Sequence, residues 1–165
     1  MSAVKIYYVN EDGALAHYMD SETSASDKIL HCLLWLYQQL KGSGWRNIRD
    51  PAALVQHCKD EFMFLEVGNS LVAVDVVEPW FLNERVLAEE FNAPYAGNTG
   101  ASVDEIVSAL EVFAKAAECT MVSLGTRANT RQRGLAHLFE KTGARLSTIE
   151  LVKEIPYEQG SQESS

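Results

Sequence analysis

The order in which strand-like and helix-like segments follow one another is the feature that most restricts the fold of this chain. The spacing of apolar residues predicts strand, helix, helix, three strands, helix, strand, helix and strand, in that order. Neither an all-helical nor an all-strand architecture accommodates this order. It predicts an α/β (α+β) protein in which helices flank a mixed, mostly antiparallel central sheet.

The first half of the chain supplies five of these segments. KIYYVN (residues 5–10) is a predicted strand, and the polar stretch 11–24 is a predicted connection. A helix of about sixteen residues is expected to begin near Ser26 and to end at Gly42 and Gly44. A shorter helix should begin at Pro51 with Asp50 as its cap. Residues 62–67 and 70–77, joined by Gly68-Asn69, predict a β-hairpin.

The second half begins with a predicted strand over residues 85–94 and the clearest helix of the chain. That helix follows Ser102, which forms with Glu105 the sequence signature of a capping box. A strand over 120–125, a helix over 131–144 and a strand over 145–155 complete the pattern. We expect one domain over residues 1–157, followed by a polar tail over 158–165.

Composition limits the classes of function. The net charge of −9 disfavours binding to nucleic acids and to anionic membranes, and no apolar run is long enough to span a bilayer. The start of the chain lacks the pattern of a signal peptide, so a cytoplasmic protein is expected. The three cysteines are predicted to be buried thiols, and the histidines show no metal-ligand spacing, so no metal is expected.

The stretch NAPYAGNTGASVDEI (residues 92–106) raises the question of an anion site. Glycines ahead of a helix N-terminus expose N–H groups that can bind a phosphate. However, Asp104 and Glu105 place negative charge at that position, and residues 91–101 contain no lysine or arginine. Two interpretations remain open on these residues alone, namely a glycine turn into a capped helix and a functional anion site.

The segment order and several phrases over residues 66–154 resemble the GNAT family of acetyl-CoA-dependent N-acetyltransferases. FNAPYAGNTGA is similar to that family's proline bend and pyrophosphate loop, and LFEKTGA (residues 138–144) is similar to its L-Y-E-K-x-G-F signature. The resemblance implies acetyl-CoA as cofactor and a GNAT-like fold. It also implies that the strands at 85–94 and 120–125 diverge and leave an open cleft between them. It implies cofactor contacts from a strand, a loop and a helix start, at Phe91, Asn92, Ala93, Gly97, Thr99, Gly100, Ala101, Ser102 and Gln132.

Three departures from the family pattern bear on cofactor binding and catalysis. Ala96 stands where the loop has Arg or Gln, and Thr99 stands where it has its first glycine. Phe139 replaces the tyrosine that donates a proton to the leaving thiolate, and phenylalanine has no proton to donate. A candidate general base remains, because the resemblance places a glutamate at Glu89 or Glu90, and strand alternation turns only one of these toward the cleft.

Three functional hypotheses follow. The chain is a GNAT-fold protein with a degenerate acetyl-CoA site that acts as a structural or binding component, or it is an active N-acetyltransferase, or it is an unrelated α/β interaction module. The first hypothesis is strengthened by similarity of the signature, with Ala144 after the glycine, to small GNAT-like proteins of phage virions, which would place the chain in a virion among protein partners. Nucleic acid is expected as a partner only through Arg127, Arg131 and Arg133.

Overall fold

The computed structural model describes residues 2–125, 132–145, 147 and 151–156. A six-stranded sheet lies at its centre in the order β2-β1-β3-β4-β5-β6. The pairs β1–β3 and β5–β6 are parallel and the other pairs are antiparallel, which confirms the predicted mixed, mostly antiparallel sheet with helices around it. The elements are β1 (Ala3–Val9), β2 (Leu15–Ser21), α1 (Glu22–Gly42), α2 (Pro51–Glu61), β3 (Met63–Val67), β4 (Ser70–Val77), β5 (Val86–Pro94), α3 (Val103–Ala116), β6 (Met121–Ser123) and α4 (Gln132–Lys141).

The prediction of a connection over residues 11–24 is wrong, because this stretch contains β2 and the start of α1. The Asn10 side chain accepts hydrogen bonds from the N–H groups of Asp12 and Ala14, and Gly13 adopts a φ of 77°, so the chain turns back into β2. β2 pairs with β1 alone and lies at the edge of the sheet, where polar residues are tolerated. Ser21 caps α1, whose N-terminus therefore precedes the predicted start near Ser26.

Two apolar layers cover the two faces of the sheet. α1 and α2 pack on one face, around Ile29, Cys32 and Phe64, and α3 packs on the other, around Leu87 and Leu110. All three cysteines are buried and none forms a disulfide. Burial raises the pKa of the Cys32 thiol to about 12, so this thiol stays protonated at neutral pH.

Most of the local predictions are confirmed. α2 begins at Pro51, although the Asp50 side chain makes no capping hydrogen bond, and the β3–β4 hairpin turns at Gly68 with a φ of 57°. α3 begins with the predicted capping box. None of the helices in the described part of the chain is long and apolar enough to cross a membrane.

The C-terminal predictions have a different outcome. In the range 145–155, the residues that the structure describes lie in no strand, and 146 and 148–150 lie outside the described residues. Phe139 on α4 is 5% exposed and is therefore a core residue. Arg127, Arg131 and the polar tail over 158–165 lie outside the described residues, whereas Arg133 is exposed near the start of α4.

Candidate functional site

A one-residue bulge in β5 directly follows the first of the two predicted glutamates. Ala73 pairs with Phe91 and Val74 pairs with Glu89, so Glu90 is the extra residue on β5. Leu87 and Glu89 face α3, and the bulge returns Asn92 to that same side. Glu90 is exposed at the bulge.

The pairing between β5 and β6 is short. It runs from Val86–Met121 to Ala88–Ser123 and then stops, although β5 continues to Pro94. Within the described residues, positions 89–94 of β5 therefore have strand partners only on the β4 side. We use the name β5–β6 gap for residues 89–94 of β5, which have no described strand partner on the side of β6 and Gly125.

Glu89 lies at the closed end of the gap. Its Oε1 accepts a hydrogen bond from the Gly125 N–H at 3.1 Å, and its Oε2 accepts one from the Asn92 side-chain amide. Burial raises the pKa of the Glu89 carboxyl above the ordinary glutamate value, and the charge of Glu90 acts in the same direction. The hydrogen bonds from Asn92 and Gly125 oppose this rise without cancelling it. A carboxylate with a raised pKa accepts a proton more readily than an ordinary glutamate does.

The loop over residues 95–102, which we call the α3 entry loop, is the predicted pyrophosphate loop. The Asn69 side-chain amide donates hydrogen bonds to the carbonyl oxygens of Ala96 at 2.9 Å and Thr99 at 2.7 Å. The backbone N–H of Tyr95 donates to the Asn69 carbonyl at 2.9 Å. The Nε2 of His31 on α1 lies 3.0 Å from the carbonyl oxygen of Gly97. The loop is thus held in place by side chains from the β3–β4 turn and from α1.

The amides at the end of this loop are also bonded within the chain. The Ala101 N–H donates to the hydroxyl of Ser70 at 2.9 Å, and the Glu105 N–H donates to the hydroxyl of Ser102 at 3.2 Å. The Glu105 carboxylate in turn accepts from the N–H and the hydroxyl of Ser102, and these bonds lower its pKa. A phosphate would have to displace these bonds and face the charges of Asp104 and Glu105.

Gly100 lies close to Ser70. A Cβ at this position would overlap the Ser70 hydroxyl oxygen, whereas the next nearest atom, Cδ of Pro94, would be 3.6 Å away. Ser70 is 1% exposed, so its hydroxyl is enclosed between the loop and the sheet. Close packing of the backbone against Ser70 explains the glycine at this position without a ligand.

A polar depression of about 500 Å³ lies beside the loop on the α1 face. Lys28 is close to it, with its Nζ 5.2 Å from the ring centre of Tyr95. However, Lys28 forms an ion pair with Asp20 at 3.1 Å and donates to the Tyr18 hydroxyl at 3.2 Å. Its charge is therefore already compensated inside the protein. The depression is lined by Ser21, Thr23, Ser24, Asp27, Lys28, His31 and Tyr95.

The structure distributes the predicted cofactor residues over several surroundings. Phe91 and Ala93 face the α1 layer and leave only their backbone at the gap, whereas Asn92 turns to Glu89. Ala101 and Ser102 use their N–H groups in internal bonds, and Gly97, Thr99 and Gly100 lie in the α3 entry loop. Gln132 begins α4, and its side chain lies outside the described residues.

Four residues that organise this site are not indicated by any pattern in the sequence. Asn69, Ser70 and His31 tie down the entry loop, and Gly125 bonds to Glu89. Their partners lie between 27 and 66 positions away along the chain. Among the residues that the structure describes, no group of three or more His, Cys, Asp or Glu side chains is arranged to hold a metal ion.

No protein-family model matches the chain, and no curated protein and no solved structure is significantly similar to it. Any function must therefore be argued from the geometry of the chain and from its short motifs.

Proposed function

We propose that this chain is a GNAT-like protein with a degenerate acetyl-CoA site, which acts as a binding or structural component of a protein assembly and not as a catalyst. The observation that supports this most directly is the hydrogen bonding of the α3 entry loop. The amides of Ala101, Ser102 and Glu105 are bonded to the chain's own side chains. A pyrophosphate loop needs such amides free, so the residues present do not fit the diphosphate of acetyl-CoA.

The absence of a cation strengthens the argument. Between Arg85 and Lys115 the sequence contains no lysine or arginine, and Lys28 is paired with Asp20. Phe139 is buried and has no proton to donate. Diphosphate recognition commonly relies on Arg or Lys, so weak or absent cofactor binding follows. The similarity of the 138–144 signature to small GNAT-like phage virion proteins favours an assembly of that type. For the enzyme alternative, a cytoplasmic location is proposed.

An active N-acetyltransferase is the second candidate, acting on the amine of a small molecule or a protein. It is favoured by Glu89 and by the β5–β6 gap, where residues 89–94 pair only with β4 among the described residues. The raised pKa of Glu89 suits a general base that takes a proton from an ammonium group. In this candidate function we assign the role of base to Glu89, because Glu90 is exposed at the bulge.

Calorimetric titration with acetyl-CoA separates the two candidates. For the proposed function we expect no heat of binding and no rise in melting temperature at millimolar acetyl-CoA, because only a ligand that binds the native state stabilises it. Binding accompanied by transfer of acetyl to an amine would refute the proposal. In that case Glu89→Gln should abolish transfer, and the matched variant Glu90→Gln should retain it.

A gain-of-binding variant tests whether the missing cation is the cause. Ala96 is exposed, and its carbonyl group, not its side chain, is bonded to Asn69, so Ala96→Arg adds the cation without disturbing the loop. We expect measurable CoA binding in this variant if the β5–β6 gap admits the ligand. Ala52→Arg on the exposed side of α2 adds the same charge elsewhere and should bind no CoA. Equal binding by the two variants would show that charge alone, and not the entry loop, attracts the ligand.

A further inference from the structure

The connection between β4 and β5 exposes three consecutive apolar side chains. Trp80 is 95% exposed, Phe81 is 67% exposed and Leu82 is 37% exposed. We call these three residues the aromatic knob. Tryptophan is large and is usually well buried in a monomer, whereas at protein interfaces it is among the residues that contribute most to binding.

The knob has an ordered conformation. The Leu82 N–H donates a hydrogen bond to the Pro79 carbonyl at 3.0 Å, which closes a turn with Trp80 and Phe81 at its tip. The two rings meet edge to face, with centroids 5.6 Å apart. Because the rings already support each other, docking would fix few additional rotamers, and the entropic cost of binding is correspondingly small.

The charges around the knob point to the kind of partner. Glu78 and Glu84 flank it, both are exposed, and the chain as a whole carries a charge of −9. A second copy of this chain or an anionic membrane would bring like charge to the contact, which is unfavourable. A protein with an apolar pocket and a basic rim is complementary both to the rings and to the acids.

We propose that the aromatic knob is a docking element that inserts into an apolar, basic-rimmed pocket of a different protein. This docking role rests on the proposed function, because a component of a protein assembly needs a surface that binds a partner. It does not involve the α3 entry loop, because the knob precedes the first residue of β5 and the loop follows the last one. An acetyl-CoA titration and a test of the knob can therefore fail independently.

The experiment places a photo-reactive benzoylphenylalanine at position 81 of the full chain in the cells that produce it. The cross-linked protein is identified, purified and titrated with wild-type protein and with variants. We expect Trp80→Ala to weaken the affinity about tenfold or more, as for an interface hot spot. Leu34→Ala removes an apolar side chain that is 50% exposed on α1 and should leave the affinity unchanged.

The charge argument has its own readouts in the same titration. Glu78→Lys should weaken binding, and the affinity of the wild-type protein should fall as salt concentration rises. Trp80→Ala should melt at the wild-type temperature because Trp80 makes almost no contact with the core, so loss of binding would not reflect unfolding. A partner that binds Trp80→Ala as well as wild type overturns the proposal.

Three other outcomes also overturn it. The first is the absence of any cross-linked protein. The second is a cross-link to another copy of this chain, accompanied by self-association in sedimentation that Trp80→Ala removes. The third is a blue shift of tryptophan fluorescence when the protein is mixed with vesicles of phosphatidylcholine, alone or with phosphatidylserine. If Trp80→Ala abolishes this shift, the knob inserts into lipid.

Discussion

The contact between Ser70 and Gly100 makes a quantitative prediction about the α3 entry loop. In Ser70→Ala the Ala101 N–H loses its acceptor in a partly buried position, which costs about 1–3 kcal/mol. In Gly100→Ala the new methyl group overlaps the Ser70 hydroxyl and forces it away from Ala101. This variant should lose the same hydrogen bond and also pay for overpacking, about 1–3 kcal/mol more.

The double variant should be more stable than the sum of the single changes predicts. Once the hydroxyl is absent, the nearest atom to the new methyl group is Cδ of Pro94 at 3.6 Å, which is an ordinary contact. Gly100 does not have a positive φ, so alanine can adopt the same backbone conformation. Alanine also has fewer conformations than glycine in the unfolded chain, which favours the folded state. We expect Ser70→Ala with Gly100→Ala to be about as stable as Ser70→Ala alone, so the coupling free energy equals the whole cost of Gly100→Ala, about 2–6 kcal/mol.

Urea denaturation of the wild type, the two single variants and the double variant measures this coupling from midpoints at an unchanged slope. Ser108→Ala, at an exposed position of α3, is the matched control for loss of a serine hydroxyl and should change stability little. Free energies that add to within about 0.5 kcal/mol would show that the loop does not pack on Ser70. The explanation of Gly100 by packing would then be wrong.

Three further changes test the site. Ser102→Ala should destabilise the protein by about 1 kcal/mol in urea denaturation, because the Glu105 N–H loses its cap, and an unchanged midpoint would contradict the capping box. Asn92→Ala should raise the pKa of Glu89 further in a carboxyl NMR titration, because a donor to the charged form is lost, while the exposed Asn83→Ala should leave it unchanged. The pKa of Glu89 is higher in the folded than in the unfolded state, so its ionisation reduces stability as the pH rises from the ordinary glutamate pKa to the folded-state pKa. Glu89→Gln cannot ionise and should therefore gain stability relative to wild type across that pH window. Stability curves of the two proteins that run parallel with pH would refute this.

Local signals in the sequence predicted the elements that depend on neighbouring residues. The β3–β4 hairpin and the capping box of α3 follow from short spacings, and both are confirmed. β2 was missed because an edge strand buries little on either side and its residues look like a loop. The apolar and β-branched pattern predicted a strand over 145–155, but the described residues of that range lie in no strand.

The candidate site was only partly predictable for a different reason. The sequence located the entry loop and the departures at Ala96 and Phe139, since these depend on residue type alone. The hydrogen bonds from Asn69, Ser70 and His31 join residues that are distant in sequence, and no spacing pattern reports them. The side that Glu89 faces follows from alternation with Leu87, whereas the return of Asn92 to that side depends on the bulge, which a rule of strict alternation does not predict.

The bulge at Glu90 also has a consequence for comparing this strand with others. Leu87 and Ala93 both have odd numbers, yet Leu87 faces α3 and Ala93 faces α1, because the extra residue reverses the alternation between them. No series of substitutions can convert this strand into a regular one, since the change requires the loss of a residue. A relative without the bulge would align with this chain only if a gap were opened at Glu90, and an ungapped alignment would pair positions that face α1 with positions that face α3 along half of the strand.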